Sequence, residues 1–490
     1  MATADTRALA RGAGVMLPAT LLGNLLLLGL DTYLNGALPL AEYGLYGAVK
    51  RLLQIAGFVG LLGMENAVIR AVARAPGAAS AQAAVRTAMV ATVATSAALA
   101  LAVYLGADAL AARVDDAPST ASALRVGALS LPLASARLVA VAAAQGWGTL
   151  VPRALVTFLV WPVAQFLGFL TMARGFGYTG VAAVSGYTLA MGLGAAQAWW
   201  HLSRVRPRGS GVGHPGEGAL APMLAVAWPL WAQGMAMSLY TWADQVLLAG
   251  LRGAEAAGVY GPVAVVAPLF GLGLGALNSA FAPIIARKHA EGDRDGLRTM
   301  YQLVTRVAVV LAVPAVAVAL AAPMTVLVPW SNASPEAATA LRITAVAQLL
   351  CTGVGSVNYL LIMCGRQRDT LYNAVPAVFL NLALSLLLVP ALGVTGAALA
   401  NAAAMALANG LGLWQVWRHL RIHPFTPRLW RPLLAGLVPA AVAWFAGGGC
   451  AGLALTLVAG GAGYLAAVWA MGLDEGERSV IDAIRRRVGR

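Results

Sequence analysis

The chain is built from long apolar runs that are separated by short polar segments. A transmembrane helix needs about 20 mostly apolar residues to cross roughly 30 Å of hydrocarbon, and many runs reach that length. The pattern predicts helices at 12–34, 43–66, 85–106, 121–146, 152–173, 178–201, 221–248, 257–285, 305–328, 337–363, 370–391, 394–417, 430–447 and 452–472. We therefore expect an all-α polytopic membrane protein with fourteen transmembrane helices.

Two of these boundaries depend on turns inside unusually long apolar stretches. No charged residue occurs from Thr370 to Trp417, a segment that would be about 72 Å long as one helix. The sequence VPALGVTG at 389–396 supplies the proline and glycine for a reversal. In the last apolar run, GGGCAG at 447–452 has the same role. Each stretch is predicted to form a helical hairpin.

The composition and the distribution of charge support a membrane protein and predict its orientation. The chain is 60% hydrophobic and 11% charged, with a net charge of +14, whereas soluble domains are about 25% charged. Of the 33 lysines and arginines, only Arg113, Arg174 and Arg252 lie in loops after odd-numbered predicted helices. The positive-inside rule then places both termini in the cytoplasm. Topology and contact with anionic membrane lipids explain the basic excess, so we expect no nucleic-acid partner.

The chain also contains an internal repeat. GYTGVAAVSGY at 177–187 matches GVTGAALANAA at 393–403, and EYGLYG at 42–47 matches AAGVYG at 256–261. Nearly equal offsets predict two homologous halves of six helices each. Because six is even, the halves have the same orientation, which is typical of secondary transporters that work by alternating access.

The repeat predicts the domain organisation. The expected parts are an N-lobe with helices 1–6 at 1–202, a cytoplasmic linker at 203–219, a C-lobe with helices 7–12 at 220–420, helices 13 and 14 at 421–474, and a cytoplasmic tail at 475–490.

No pattern of catalysis or cofactor binding is visible in the sequence. The two lysines, Lys50 and Lys288, lie outside any Walker A motif, and no HExxH motif occurs. The three cysteines lie in apolar runs, without the spacing of a disulfide framework or a thiolate metal site. We expect a protein that is not an enzyme and has no cofactor, with a proton or sodium gradient as the candidate driving force.

Four segments resemble a known family. They are GMENAVIRAVA at 63–73, WADQVLLAGLRGAEAAGVYGPVA at 242–264, APIIARKHAEGD at 282–293 and VPALGVTGAALAN at 389–401. Together with the expected fourteen helices, they resemble the polysaccharide flippase branch of the multidrug/oligosaccharidyl-lipid/polysaccharide exporter superfamily, over nearly the whole chain.

The resemblance implies a function that composition alone does not show. It implies transfer of a lipid-linked oligosaccharide across a bacterial inner membrane for O-antigen, capsule or exopolysaccharide assembly, with polymerase or export machinery as partners. Three alternatives stay open: a multidrug or cation antiporter of the same superfamily, a lipid II flippase, and a membrane-embedded polysaccharide polymerase or glycosyltransferase.

Charged residues inside the predicted spans are the main candidates for a binding site. Each costs at least about 2.5 to 3.5 kcal/mol to insert and is by default a functional candidate. Lys50 and Arg51 lie in the span at 43–66, and Arg137 lies deep in the span at 121–146. We expect them to bind the pyrophosphate of the lipid carrier, because Arg offers bidentate contacts and Lys a point charge. The alternatives are an ion pair of Asp31 with Lys50 or Arg51, and a structural partner for Arg137 on another helix.

Other polar residues in the spans are weaker candidates. Asp31 and Asp244 occupy matching positions in the two halves and are candidates for proton or sodium coupling, or for interfacial pairing. The repeat counterparts of Arg51 and Arg137 are Val265 and Val354, so these cations belong to the first half alone. Candidates for polar groups that line a cavity are Gln54, Gln233, Gln348, Asn358 and Asn381.

Overall fold

The computed structural model describes residues 22–114, 118–149, 151–205 and 220–472. Most of the predicted linker at 203–219, the whole predicted tail at 475–490 and the start of the first predicted span lie outside these residues. Within them, the regular structure is helical and no strand occurs. The chain divides into two compact units, at 1–258 and 259–490.

The first unit contains or begins twelve helices in its described part. They are α1 (22–37), α2 (Leu40–Leu61), α3 (Met64–Arg74), α4 (Ala78–Leu105), α5 (Ala107–Ala111), α6 (Pro118–Ala128), α7 (Ser130–Gly146), α8 (Val151–Leu155), α9 (Trp161–Phe176), α10 (Gly180–Val205), α11 (Leu220–Arg252) and α12 (Ala254–Val266). A π-helical turn, Val156–Val160, joins α8 to α9.

The second unit contains the remaining helices. They are α13 (Leu272–Ala290), α14 (Arg294–Ala321), α15 (Pro323–Leu327), α16 (Pro335–Val354), α17 (Val357–Met363), α18 (Gln367–Leu420), α19 (Trp430–Ala435), α20 (Leu437–Phe445), α21 (Cys450–Leu455) and α22 (Gly461–Ala470). A 3₁₀ turn, Ala267–Gly271, precedes α13, and a π-helical turn, Thr456–Gly460, joins α21 to α22.

The predicted span at 43–66 is broken in the structure. Helices α2 and α3 meet at a bend of 41°, because Leu62 and Gly63 both have positive φ, at 51° and 67°. A break frees backbone carbonyls at the end of the first helix. The Trp231 indole donates to the Phe58 carbonyl at 3.1 Å, and the Thr95 hydroxyl donates to the Gly60 carbonyl at 2.7 Å. The bend is therefore a supported feature that fixes the direction of α2.

The predicted hairpin at 370–417 is confirmed. Only Gly393 departs from helical geometry inside α18, with φ 56° and ψ −128°. The Asn373 side-chain amide donates to Gln415 Oε1 at 2.7 Å, although a straight helix would place these residues about 63 Å apart. The chain therefore reverses at Gly393.

The second predicted hairpin is also confirmed. Gly447 and Gly449, inside the predicted turn, have positive φ. Arg431 at the start of α19 donates from Nη1 to the Gly472 carbonyl beyond α22, at 3.2 Å. The hairpin packs within the second unit, where the Tyr464 hydroxyl donates to the Val310 carbonyl of α14 at 2.9 Å.

Eight helices of the described part are long and apolar enough to cross a membrane, or nine if α2 and α3 form one span. One of the eight is the hairpin α18. The all-α membrane fold is confirmed, and the total of fourteen crossings stays a prediction.

The reversal at Gly393 generates a stability prediction. An added Cβ at Gly393 meets no atom within 4 Å, so its effect comes from the backbone alone. We expect Gly393→Ala to lower the free energy of unfolding by about 1 kcal/mol or more, because ψ −128° at positive φ is nearly restricted to glycine. The measurement is the melting temperature of the purified protein in detergent.

Gly410→Ala is the matched control, since its Cβ also meets no atom within 4 Å and the residue is helical. It should leave the melting temperature unchanged or raise it. Equal effects of the two substitutions would contradict a backbone constraint at Gly393.

Candidate functional site

Lys50 lies near the middle of α2 and contacts an aromatic hydroxyl. Its ammonium donates to the Tyr46 hydroxyl at 3.0 Å and lies 5.1 Å from the centre of that ring. The same hydroxyl accepts a hydrogen bond from the Gln165 amide of α9 at 2.5 Å. Tyr46 and Gln165 are only 2% and 1% exposed. The buried tyrosine therefore links α2 to α9 and holds Lys50 beside them.

Arg51 contacts two neutral amides. Its Nη1 donates to Gln54 Oε1 at 3.0 Å, and its Nε is 3.4 Å from Oε1 of Gln245 on α11. Gln245 is oriented by its own donation to the Ala257 carbonyl at 3.4 Å. Gly47 gives the amide its space, since an added Cβ there would clash with Gln245 Nε2. Neither amide neutralises the charge of Arg51.

The two candidate carboxylates also belong to the first unit. Asp31 accepts a hydrogen bond from the Tyr43 hydroxyl at 2.7 Å and lies within electrostatic range of Lys50. Asp244 is 4% exposed and directly precedes Gln245 in α11. The structure thus places Asp31 in the surroundings of the α2 cations.

Arg137 lies in α7 and is 7% exposed. Its guanidinium carbon is 5.7 Å from the centre of the Trp161 ring, within the range of a cation–π contact. Its Nε and Nη1 atoms are buried and have no hydrogen-bond partner among the described residues. Burying such donors without an acceptor costs about 1 to 3 kcal/mol, and more when the group is charged. Arg137 is therefore retained at a cost to stability.

Two local backbone features lie beside this arginine. On α10, Gly194 faces the Arg137 stem, because an added Cβ would lie 2.8 Å from Arg137 Cδ. The same Cβ would lie 3.7 Å from Val156, which begins the π-helical turn. Such turns are frequent at functional sites. This one ends directly before Trp161, whose ring also makes an edge contact with Tyr187 at 6.4 Å.

Further buried polar atoms lie on the same helices. Trp161 Nε1, Gln165 Oε1 and Gln197 Oε1 have no hydrogen-bond partner in the described part of the chain. Gln197 follows Gly194 by three residues and so shares its face of α10. Glu65 lies within electrostatic range of Arg137. Several buried polar atoms therefore lie on the helices around the guanidinium.

The structure brings the candidate cations into two adjoining groups of the first unit. Trp161 and Gln165 are one turn apart on α9, and they contact Arg137 and the Tyr46–Lys50 pair, respectively. Gln233, on α11, is half-buried. In the second unit, Gln348 is half-buried and Asn358 is exposed. Asn381 is 1% exposed and accepts from the Ser385 hydroxyl at 3.0 Å.

Of the neutral groups around the α2 cations, Gln54 is a candidate from the sequence, whereas Tyr46, Gln165 and Gln245 are not. Tyr46 precedes Lys50 by one helical turn, which is a usable signal. Gln165 and Gln245 are amides inside apolar spans, but their partners lie on helices distant in sequence. The described residues contain no cluster of three or more histidine, cysteine, aspartate or glutamate side chains that could hold a metal ion.

Comparison with known proteins identifies the family. The family model described as "polysaccharide biosynthesis protein" matches residues 9–289, more than half of the chain. The chain belongs to the polysaccharide biosynthesis protein family. A second model, MatE, matches residues 229–387. No match was found among curated proteins.

Solved structures show the fold that this family member shares. A lipid II flippase, MurJ, in an inward closed conformation is 11% identical with a TM-score of 0.71, over 92% of this chain and 96% of that one. An inward-facing multidrug resistance MATE family transporter is 16% identical with a TM-score of 0.66, over 84% of this chain and 98% of that one.

A further transporter of this superfamily, from Pyrococcus furiosus, is 16% identical with a TM-score of 0.58, over 84% of this chain and 95% of that one. At such identities the likeness establishes the fold alone. The chain is a multi-pass membrane protein with the fold of flippases and transporters of this superfamily, as the sequence resemblance implies.

The geometry of Arg137 generates the second prediction. We expect Arg137→Met to leave the melting temperature unchanged or to raise it in the absence of cargo, because an apolar side chain of similar length removes an unsatisfied buried charge. The measurement is thermal unfolding in detergent.

Tyr46→Phe provides the contrast. It removes the hydroxyl that both Lys50 and Gln165 contact, so it should destabilise by about 1 to 3 kcal/mol. A loss of about 3 to 5 kcal/mol in Arg137→Met would instead indicate a broken structural pair.

Proposed function

We propose that the protein is a flippase that moves a polyprenyl-pyrophosphate-linked oligosaccharide across the bacterial inner membrane by alternating access, for O-antigen, capsule or exopolysaccharide synthesis. One observation carries the proposal: Arg137 is buried in the first unit with two donor nitrogens that no described residue satisfies. Such a group is stabilised when a bound acceptor supplies the missing hydrogen bonds.

A pyrophosphate supplies those bonds. Its oxygens accept two parallel hydrogen bonds from one guanidinium, and charge-assisted bonds of this kind are roughly twice as strong as neutral ones. Neutral apolar cargo offers no such acceptor. The unsatisfied nitrogens therefore favour an anionic headgroup.

Lys50 and Arg51 of α2 are two further cations for binding phosphate. They donate hydrogen bonds to Tyr46, Gln54 and Gln245, which are neutral, and Asp31 is the carboxylate within electrostatic range of Lys50. A headgroup with two phosphates then has several cations to contact as it moves. Asp31 and Asp244 are the candidates for coupling this movement to a proton or sodium gradient.

The family match supports this cargo over the nearest rival. A multidrug or cation antiporter of the same superfamily needs a deep carboxylate as its main binding group, for which buried Asp244 is the candidate, whereas the two unsatisfied donors of Arg137 favour an anionic headgroup. A lipid II flippase remains the second candidate, because the MurJ structure matches 92% of the chain. We also propose that both termini lie in the cytoplasm and that a polysaccharide polymerase or export complex is a partner.

A transport assay tests the function. The protein is reconstituted in liposomes with a fluorescent undecaprenyl-pyrophosphate oligosaccharide, and transfer between leaflets is followed with an external quencher. We expect Arg137→Met to slow transfer about 10- to 100-fold, since charge-assisted hydrogen bonds contribute about 1.5 to 3 kcal/mol.

Arg125→Met is the matched control, because Arg125 is exposed on the adjoining helix α6 and pairs with Asp108. It should transfer cargo at the wild-type rate. Transfer of lipid II in preference to the oligosaccharide lipid would favour the second candidate. If the wild type transfers neither lipid under a proton or sodium gradient but extrudes an organic cation, the proposal is wrong.

A further inference from the structure

A pocket of about 300 Å³ opens on the first unit, away from the cations of α2 and α7. It lies between the start of α4 and the ends of α7 and α10. Its lining includes Arg86, Val85, Met89, Trp147 and Trp199. These elements meet at one end of the helix bundle.

The pocket is amphipathic. Val85 is 7% exposed and, with half-buried Met89, provides apolar walls. Trp199 is 53% exposed, and Trp147 is half-buried. Arg86 is exposed and forms no ion pair with a described residue. A free cation thus lies beside an apolar surface that is large enough for part of a chain.

The position of the pocket fits a membrane interface. Tryptophan is enriched at the level of the lipid headgroups, and Trp147, Trp199 and Trp200 all lie at this end. Arg204 stacks on Trp200, with its guanidinium carbon 3.7 Å from the ring centre. By the sidedness proposed above, this end faces the cytoplasm, where the leaflet carries anionic lipids that attract basic side chains.

We propose that this pocket binds one anionic glycerophospholipid of the cytoplasmic leaflet. The lipid phosphate contacts Arg86, and the upper part of one acyl chain packs on Val85, Met89 and Trp199. The pocket is at the small end of the range of about 300 to 1,000 Å³ for ligand sites, so it holds part of the chain while the rest stays in the bilayer. The site rests on the proposed sidedness and does not depend on the cargo.

The charge of Arg86 and the shape of the pocket make separate contributions, so they are tested separately. The protein in mild detergent is titrated with phosphatidylglycerol or phosphatidylcholine, and bound lipid is counted by native mass spectrometry. We expect one tightly bound phosphatidylglycerol in the wild type. Arg86→Gln should weaken it about tenfold by removing the cation, and Met89→Trp should weaken it similarly by filling the pocket.

Arg74→Gln is the control variant, because Arg74 is an exposed arginine at the end of α3 and does not line the pocket. It should weaken phosphatidylglycerol binding about fivefold or less, as expected for the loss of a general surface charge. Correct folding of each variant is checked by its melting temperature.

Three outcomes would overturn the proposal. Equal losses in Arg86→Gln and Arg74→Gln would show general attraction to anionic lipid without a site. Equal binding of phosphatidylcholine would remove the role of charge. Displacement of the lipid by undecaprenyl phosphate at equal concentration would assign the pocket to the polyprenyl carrier. Transport of cargo by Arg86→Gln tests the flippase function independently.

Discussion

The function proposed for this protein depends on one buried guanidinium whose hydrogen bonds the described residues do not complete. Arg137 is 7% exposed, and its Nε and Nη1 have no partner among the described residues. The surrounding helices nevertheless accommodate it, through the missing side chain of Gly194 and the aromatic face of Trp161. A protein that needed only a stable bundle would be served better by an apolar side chain at this position. The proposed binding role therefore explains why an arginine occupies this position.

The neighbouring cations depend on the break between α2 and α3. Positive φ at Leu62 and Gly63 bends the chain, and Trp231 and Thr95 satisfy the carbonyls that the break frees. The direction of α2 in turn sets where Arg51 meets Gln245 of α11 and where Tyr46, which accepts from Lys50, meets Gln165 of α9. The positions of these two charges therefore depend on the backbone conformation at Leu62 and Gly63.

Much of the fold was predictable because the membrane imposes strong constraints on sequence. The reversals at Gly393 and near Gly447 followed from the length of apolar stretches and from glycine and proline. The bend at Leu62 was not predicted, since a leucine with positive φ has no signal in a hydropathy pattern. The cations were found as charges inside apolar runs. Gln245, which contacts Arg51, and Gln165, which contacts Tyr46 beside Lys50, were not found, because contacts between distant helices depend on tertiary packing.

The most direct test of the central claim is a binding measurement that isolates the pyrophosphate. Undecaprenyl pyrophosphate and uncharged undecaprenol are each added to wild type and to Arg137→Met, and the shift in melting temperature is recorded, because a ligand that binds only the folded state stabilises it. We expect the pyrophosphate lipid to raise the melting temperature of the wild type, undecaprenol to leave it unchanged, and Arg137→Met to respond to neither lipid. An equal upward shift by undecaprenyl pyrophosphate in both proteins would contradict this expectation.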